Sequence, residues 1–286
     1  MKIRSFDNDK AILYLVATPI GNLEDMTFRA VSILKSVDKI YAEDTRNSIV
    51  LLKHYDIHTR LESYHEFSNQ IKEEQILNEL KSGMKIAIIS DAGLPVISDP
   101  GYRLVELAID NNIAVSTIPG ASAGVSALIA SGLPPMPYTF YGFLDSKKSH
   151  RVKELNDLKY VSHTVIFYEA PHRIKETLED MLEVLGNRRV VLARELTKSY
   201  EEFSRGNIEE ILSDLPSKGE MVLMVEGYKE ESLSIDPHQR IDELISLGSK
   251  PNQAIKEVAK LLNVNRNELY MSYLEYKNNK EWKNEF

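Results

Sequence analysis

Short apolar runs alternate with amphipathic segments through the first half of the chain. The runs are rich in β-branched or aromatic residues, end at turn-forming residues and lie at positions 12–17, 39–42, 85–89 and 114–117. Apolar residues at helical spacing separate them and favour helices at 27–34, 45–54, 69–80, 103–110 and 121–131. This strand–helix alternation predicts a parallel or mixed β-sheet covered by helices.

The proline-rich segment GLPPMP at 132–137 marks a domain boundary. Beyond it the pattern predicts strands at 139–141, 161–168, 189–193, 200–205 and 220–226, with helices at 149–158, 172–185 and 208–212. From residue 230 the pattern is polar and helical, with helices at 236–247, 251–262 and 266–276. We therefore predict an N-terminal α/β lobe (1–134), a C-terminal α/β lobe (135–230) and a helical tail (231–286).

Composition narrows the chemistry. The 286-residue chain has no cysteine, which excludes disulfides, thiolate metal sites and cysteine nucleophiles. Its seven histidines lack metal-ligand spacing, so no metal is predicted. A net charge of −8 means that nucleic-acid binding would depend on local basic patches.

Apolar runs are far shorter than the roughly 20 residues of a membrane helix. Residues 1–10 lack the apolar core of a signal peptide. We expect a soluble, cytoplasmic protein.

Three turns rich in small residues each follow a predicted strand: TPIGN (18–22), SDAGLP (90–95) and IPGASA (118–123). In open α/β sheets, ligands bind beyond the carboxyl ends of the strands, where such turns gather. No GxGxxG or GxxxxGK[ST] motif is present, so a nucleotide-phosphate loop is unsupported. Ordinary strand-to-helix turns are the alternative, and the next turn, SDPG at 98–101, is read as the start of a helix.

Several separated motifs, in order along the chain, carry a specific resemblance. They are LYLVATPIGNLEDMTFRA, YAEDTR, SDAGLPVISDPG, TIPGASA, YEAPHR, ARELTK and GEMVLMVEG, between residues 12 and 227. Together they resemble the ribosomal RNA small subunit methyltransferase I family, of the tetrapyrrole-methylase superfamily. The resemblance implies a two-lobed α/β fold, that of class III S-adenosylmethionine methyltransferases, with a small C-terminal helical extension.

The resemblance also implies an activity and partners. Family members transfer a methyl group from S-adenosylmethionine to the ribose 2′-oxygen of a cytidine in the decoding centre of 16S ribosomal RNA. We therefore expect the small ribosomal subunit as substrate and, by resemblance alone, a homodimer. One rival function is methylation of a precorrin-like tetrapyrrole by the same fold. Another is a non-catalytic RNA-binding module, against which the intact turns argue.

Cofactor contacts are carried over at the positions that match the family's motifs. The methionine moiety is expected against the first lobe, with the adenine against the second. The implied contacts are Pro19, Ile20, Asp91, Ala92, Gly93, Leu94, Ser122, Ala123, Phe167, Tyr168, Ala193, Glu220 and Met221.

A ribose hydroxyl is a weak nucleophile unless a base or water takes its proton. Asp44 in YAEDTR is the first candidate for this base, and Glu169 in YEAPHR is the second. Lys198 in ARELTK would serve only with a depressed pKa. Arg46, Arg173 and Lys198 are candidate phosphate ligands. A structural ion-pair network remains the alternative for this cluster.

A second candidate RNA contact combines basic and aromatic residues. Lys147, Lys148 and Arg151 follow the aromatic Tyr141 and Phe143, which could stack on a base. A solvated helix start is the alternative. In the tail, residues 251–276 resemble a helix-turn-helix, which would either assist RNA binding or clamp the second lobe.

Overall fold

The computed structural model describes residues 11–64, 70–229, 236–262 and 264–282. Residues 1–10, and Asn69 and Asn263 at the edges of predicted helices, lie outside these ranges. The first lobe contains a five-stranded sheet of β1 (Ile12–Val16), β2 (Lys39–Ala42), β3 (Leu61–Ser63), β4 (Lys85–Ile89) and β5 (Ala114–Ile118). Its strand order is β3-β2-β4-β1-β5, and every pairing is parallel.

Helices cover both faces of this sheet, namely α1 (Phe28–Ser36), α2 (Thr45–His54), α3 (Gln70–Lys81) and α4 (Tyr102–Asp110). Helix α5 (Ala123–Ser131) follows β5. Side chains of a strand alternate between faces, so Tyr14 packs in one core and Leu13 in the core on the other side. The predicted cap Thr27 accepts the amide hydrogen of Ala30 and begins α1. Helices of this kind form the crossover connections that parallel strands require. Because the strands run in the same direction, their carboxyl ends lie at one edge of the sheet.

The second lobe has its own five-stranded sheet, formed by β6 (Tyr138–Phe143), β7 (Thr164–Glu169), β8 (Arg189–Arg194), β9 (Glu202–Asn207) and β10 (Met221–Val225). The order is β6-β7-β10-β8-β9, with β6 and β7 parallel and the other pairs antiparallel. Three helices belong to this lobe: α6 (Lys148–Leu158), α7 (Ile174–Leu185) and α8 (Ile208–Ser213).

Helix α5 joins the two lobes. Ala127 and Leu128 of this helix share a buried core with Ile166, Val191 and Met224 of the second sheet. The opposite face of that sheet packs against α6, α7 and α8. Burial of apolar surface on the face that meets α5 therefore holds the second sheet against the first lobe.

The chain divides into two compact units, Met1–Tyr228 and Lys229–Phe286. The second unit contains α9 (Pro237–Ser246), α10 (Pro251–Leu261) and α11 (Arg266–Trp282), which share a small core around Ile241, Ile255 and Tyr273. The Tyr273 hydroxyl donates to Asp242 at 2.6 Å. Within the described ranges, no helix combines the length and apolarity needed to cross a bilayer.

The α/β fold with a helical extension is confirmed. Strand β3 was not predicted, because a three-residue edge strand with one apolar residue carries no periodicity. Strand β9 begins at Glu202, two residues later than predicted.

The predicted RNA contact of Arg151 is wrong. The side chain is 1% exposed, and its Nε donates to Asp180 Oδ2 at 2.7 Å. Its Nη1 also donates to the carbonyl of Ser146 at 3.2 Å. Arg151 therefore fastens α6 to α7 and does not face a ligand, because the amphipathic pattern of α6 directs this position into the core.

Replacing Arg151 with methionine leaves Asp180 buried with only Lys148 near its other oxygen. An uncompensated buried charge is costly, so the free energy of unfolding should fall by about 3 kcal/mol. Chemical denaturation measures this change. Lys153→Met, at an exposed position of the same helix, is the control and should shift the value by less than about 0.5 kcal/mol. Equal effects of the two variants would contradict a structural role for Arg151.

Candidate active site

A cavity of about 360 Å³ opens between the two lobes. Loops at the carboxyl edge of the first sheet form one wall, and strand ends of the second sheet form the other. Its lining residues are Ile20, Ala92, Gly93, Leu94, Ile97, Ser98, Asp99, Ser122, Ala123, Phe143, Tyr168, Glu169, Ala170, Pro171, Leu196, Gly219, Glu220, Met221 and Val222.

The loops of the first wall are tied together by backbone hydrogen bonds. Thr18 N donates to Gly93 O at 2.9 Å, and Gly93 N donates to Thr18 O at 3.1 Å. The Thr18 hydroxyl donates to Ser90 O at 3.1 Å. Gly93 has φ of +82°, a conformation that favours glycine. This bridge brings the turns after β1 and β4 side by side, next to the start of α5 at Ala123.

Six of the residues carried over for cofactor contact line this first wall. They are Ile20, Ala92, Gly93, Leu94, Ser122 and Ala123. Three more, Tyr168, Glu220 and Met221, line the wall of the second lobe. The Tyr168 ring makes edge contacts with Phe140 and Phe143, so the aromatic part of this wall is packed in place.

Phe167 and Ala193 do not line the cavity. Phe167 is 2% exposed and packs on the opposite face of its sheet, against Tyr141, because successive strand residues point to opposite faces. Ala193 is fully buried in the core between the lobes. The aromatic wall is thus made by Tyr168 and by Phe143, which was expected to stack on RNA.

A second cavity, of about 450 Å³, adjoins the first and shares Ile20, Ala92 and Glu220 with it. Pro19 and Asp91, two further predicted cofactor contacts, line this second cavity instead of the first. Its other lining residues are Thr18, Gly21, Leu23, Asn47, Val50, Leu51 and Lys198.

Asp91 connects the turn after β4 to α2. Its carboxylate accepts the amide hydrogen of Asp44 at 3.1 Å and the side-chain amide of Asn47 at 2.9 Å. Both oxygens are therefore engaged within the protein. This explains why the carboxylate is turned towards α2.

Asp44 is the N-cap of α2 and forms a bidentate pair with Arg46, whose Nη2 lies 2.6 Å from Oδ2. Hydrogen bonds from the Arg46 side chain and backbone lower the pKa of Asp44 to about 2. A carboxylate with so low a pKa is a poor general base near neutral pH. The geometry argues against the proton-accepting role predicted for Asp44.

Glu169 lines the first cavity and is 3% exposed. One oxygen accepts the Thr177 hydroxyl at 2.6 Å, and the other accepts the Ala170 amide at 2.8 Å. Arg173 donates from Nη2 to the carbonyls of Leu144 and Asp145 at 2.8 and 3.1 Å. These bonds connect the YEAPHR turn to α7 and to the loop before α6. Glu169 and Arg173 therefore both have structural roles in this turn.

Lys198 lies between two carboxylates, with Nζ 2.9 Å from Glu195 and 3.0 Å from Glu220. Burial alone would lower the pKa of Lys198, but the hydrogen bonds to Glu195 and Glu220 outweigh burial and raise the pKa. The depressed pKa required for a lysine base is therefore absent. Lys198 instead holds Glu220 at the boundary of the two cavities.

The predicted phosphate ligands differ in how far they face solvent. The Arg46 side chain is 88% exposed, whereas Arg173 is 19% exposed. Lys147 is exposed at the N-cap of α6. Lys148 is also exposed but lies 3.1 Å from Asp180.

Among the described residues, no group of three or more His, Asp or Glu side chains has a metal-binding arrangement.

Asp99 is a cavity residue that the sequence analysis missed. It lies in the SDPG turn, and within the described ranges no residue donates a hydrogen bond to its carboxylate. Burial, with the nearby charges of Glu43 and Asp91, raises the pKa of Asp99 to about 7. The Ser-Asp pair occurs at 90–91 and again at 98–99, and this repetition is the sequence signal that could have indicated Asp99.

The loop that carries Asp99 has an unusual backbone. Val96 and Ser98 have φ of +75° and +62°, a region that non-glycine residues rarely adopt. Each such residue costs roughly 1–3 kcal/mol, and strain of this kind concentrates at binding sites. The conformation sets Ile97, Ser98 and Asp99 along the cavity.

The fold and the cavity between its lobes define a methylase of the tetrapyrrole type. The family model for Tetrapyrrole (Corrin/Porphyrin) Methylases matches residues 12–212. A uroporphyrin-III C-methyltransferase from Thermus thermophilus, solved in complex with S-adenyl homocysteine, has the same fold. It is 15% identical, with a TM-score of 0.54 over 76% of this chain and 97% of that chain.

The particular family follows from closer relatives. A Ribosomal RNA small subunit methyltransferase I from Streptococcus pyogenes serotype M1 is 51% identical over 94% of this chain and 98% of the relative. One from Bacillus subtilis is 48% identical over 93% of this chain and 95% of the relative. The chain belongs to the ribosomal RNA small subunit methyltransferase I family.

Asp99→Asn should stabilise the protein, and more so at pH 8 than at pH 5. The pKa of about 7 exceeds the ordinary value of 3.8, so between these values the folded state retains a proton that the unfolded chain has released. The free energy of unfolding therefore falls as pH rises through this window, and asparagine removes that loss. The melting temperature should rise by roughly 2–4 °C at pH 8.

Thermal unfolding at pH 5 and pH 8 measures the effect. Asp110→Asn, at the exposed end of α4, is the control and should change the melting temperature equally little at both pH values. A pH-independent effect of Asp99→Asn would contradict the raised pKa.

Proposed function

We propose that the protein transfers a methyl group from S-adenosylmethionine to the ribose 2′-oxygen of a cytidine in the decoding centre of 16S ribosomal RNA. The small ribosomal subunit would be its substrate, in the cytoplasm. The observation that carries this proposal is the cavity between the lobes, where the turns after β1 and β4 and the start of α5 meet the strand ends of β7 and β10. Relatives bearing the small subunit methyltransferase name support the RNA acceptor.

The cavity suits S-adenosylmethionine in size and lining. Ligand sites commonly measure about 300–1,000 Å³ and combine apolar walls with a few polar groups. Ala92, Gly93 and Ala123 leave room close to the backbone, and Tyr168 and Met221 supply an apolar wall. Asp99 and Glu220 bring carboxyl groups to the cavity, and a carboxylate attracts a cationic ligand.

The cofactor would supply a sulfonium methyl group, which an oxygen nucleophile can accept without a metal or a thiol. The work of the protein is then mainly to position the acceptor oxygen in line with the sulfur–methyl bond. The ion pairs of Asp44 with Arg46 and of Lys198 with Glu220 are consistent with such positioning. For Asp44, Glu169 and Lys198 we therefore favour structural or orienting roles over proton transfer.

RNA contact is proposed at exposed cations beside the cavities. Arg46 and Lys147 are well exposed, although Arg46 is also paired with Asp44. Lys148 and Arg173 are partly engaged within the protein. Arg151 is withdrawn from this set because of its burial. We also retain the homodimer as a proposal from the resemblance, which a measured mass in solution tests.

The reaction is tested with purified protein, cofactor labelled on its methyl group and small subunits from cells that lack this protein. Digestion of the RNA to nucleosides should give label in 2′-O-methylcytidine. Label on a base atom, or none on RNA despite cofactor binding, would overturn the proposal. Transfer to a tetrapyrrole instead would favour the rival function.

Ala123→Leu should block the cofactor, because the added side chain enters the cavity at the start of α5. Affinity for S-adenosylhomocysteine, measured by calorimetry, should fall by about tenfold or more, which corresponds to a loss of about 1.4 kcal/mol. Ala130→Leu lies exposed near the end of the same helix and is the matched control. Unchanged affinity in Ala123→Leu would argue against cofactor binding in this cavity.

A further inference from the structure

The second cavity adjoins the first and shares three lining residues with it, Ile20, Ala92 and Glu220. Its remaining walls come from the turn after β1, the first half of α2 and Lys198. At about 450 Å³ it falls within the size range of small-molecule sites, roughly 300–1,000 Å³. Ligands in the two cavities would therefore lie next to each other at Ile20, Ala92 and Glu220.

The lining of the second cavity combines apolar and hydrogen-bonding groups. Val50 is 61% exposed although it faces the cavity with Pro19 and Leu23. Asn47 and Asp91 form the polar side, and their mutual hydrogen bond keeps them in place. Ligand sites combine apolar surface with a few placed polar groups, and this combination suits a partly polar ligand such as a nucleobase with its sugar.

Charge in this cavity also discriminates between ligand classes. Asp91 and Glu220 are carboxylates, and Lys198 is already paired with Glu195 and Glu220. An acid-bearing macrocycle would set its carboxylates against these groups, which like-charge repulsion disfavours. A nucleoside brings no charge into the cavity. Its phosphates would stay outside, where the Arg46 side chain is exposed one turn before Val50 on α2.

We propose that the second cavity receives the acceptor nucleoside of the RNA. This proposal rests on the proposed function and adds the binding site of the acceptor. The ribose 2′-oxygen would then approach the methyl group over Ile20 and Ala92. The carbon–sulfur bond breaks with its electron pair left on sulfur, the oxygen–carbon bond forms, and the hydroxyl proton passes to the Glu220 carboxylate. Glu220 is the one titratable side chain among the described residues that lines both cavities, and it is 75% exposed for release of that proton to water.

Two neighbouring positions on α2 provide the test. Val50→Glu puts a carboxylate into the second cavity, and Val50→Trp fills the cavity without charge. Ile49→Glu makes the same change at an exposed apolar residue, 45% exposed, that does not line either cavity. Each variant is assayed for methyl transfer to small subunits and for affinity towards S-adenosylhomocysteine.

Both Val50 variants should lose about tenfold or more of kcat/KM for transfer, as expected when a contact that the bound ligand would cover is replaced by a charge or a clash. Their cofactor affinity should stay within about twofold of the wild-type value, since the first cavity is intact. Ile49→Glu should retain both properties. Transfer by the Val50 variants at the rate of Ile49→Glu would overturn the assignment, as would a parallel tenfold loss of cofactor affinity. Failure of the wild-type protein to methylate any RNA would instead refute the proposed function.

Discussion

The site depends on the paired backbone hydrogen bonds between Thr18 and Gly93. Strands β4, β1 and β5 are neighbours, so their carboxyl ends lie together at one edge of the parallel sheet. The bridge is an isolated antiparallel pair beyond the ends of β1 and β4, and it fixes their turns against each other. Helix α5 begins beside these turns and packs into the second lobe. Gly93 has a left-handed φ, which explains why glycine suits this point of the bridge.

Charges around the site are organised mainly as pairs. Asp44 holds Arg46, Asp91 holds Asn47 and the start of α2, and Lys198 holds Glu220. These pairs orient loops and helix ends, an arrangement that suits a reaction in which the cofactor supplies the electrophile and the protein supplies position. Asp99 is the exception, because its carboxylate faces the cavity with a pKa raised to about 7.

Sequence motifs identified the loops better than the side chains. Phe167 and Tyr168 are adjacent in the same motif, yet only Tyr168 reaches the cavity, because strand residues alternate between faces. Arg151 stood in a basic run that suggested an RNA contact, but helix geometry turned it towards Asp180. Asp91 likewise does not line the first cavity, because its carboxylate accepts hydrogen bonds from residues at the start of α2. In each case the deciding partner is distant in sequence, so no local pattern could reveal it.

The sequence by itself determined the alternation of strands and helices, the turns that follow β1, β4 and β5, and the family, because these depend on local periodicity, turn chemistry and motifs in order. Tertiary structure alone decided which lining residues share a cavity, which cations remain exposed, and that two cavities meet at Ile20, Ala92 and Glu220. The physical reason is that exposure and pKa depend on groups brought together across tens of residues, by strand order and by the packing of one lobe on the other.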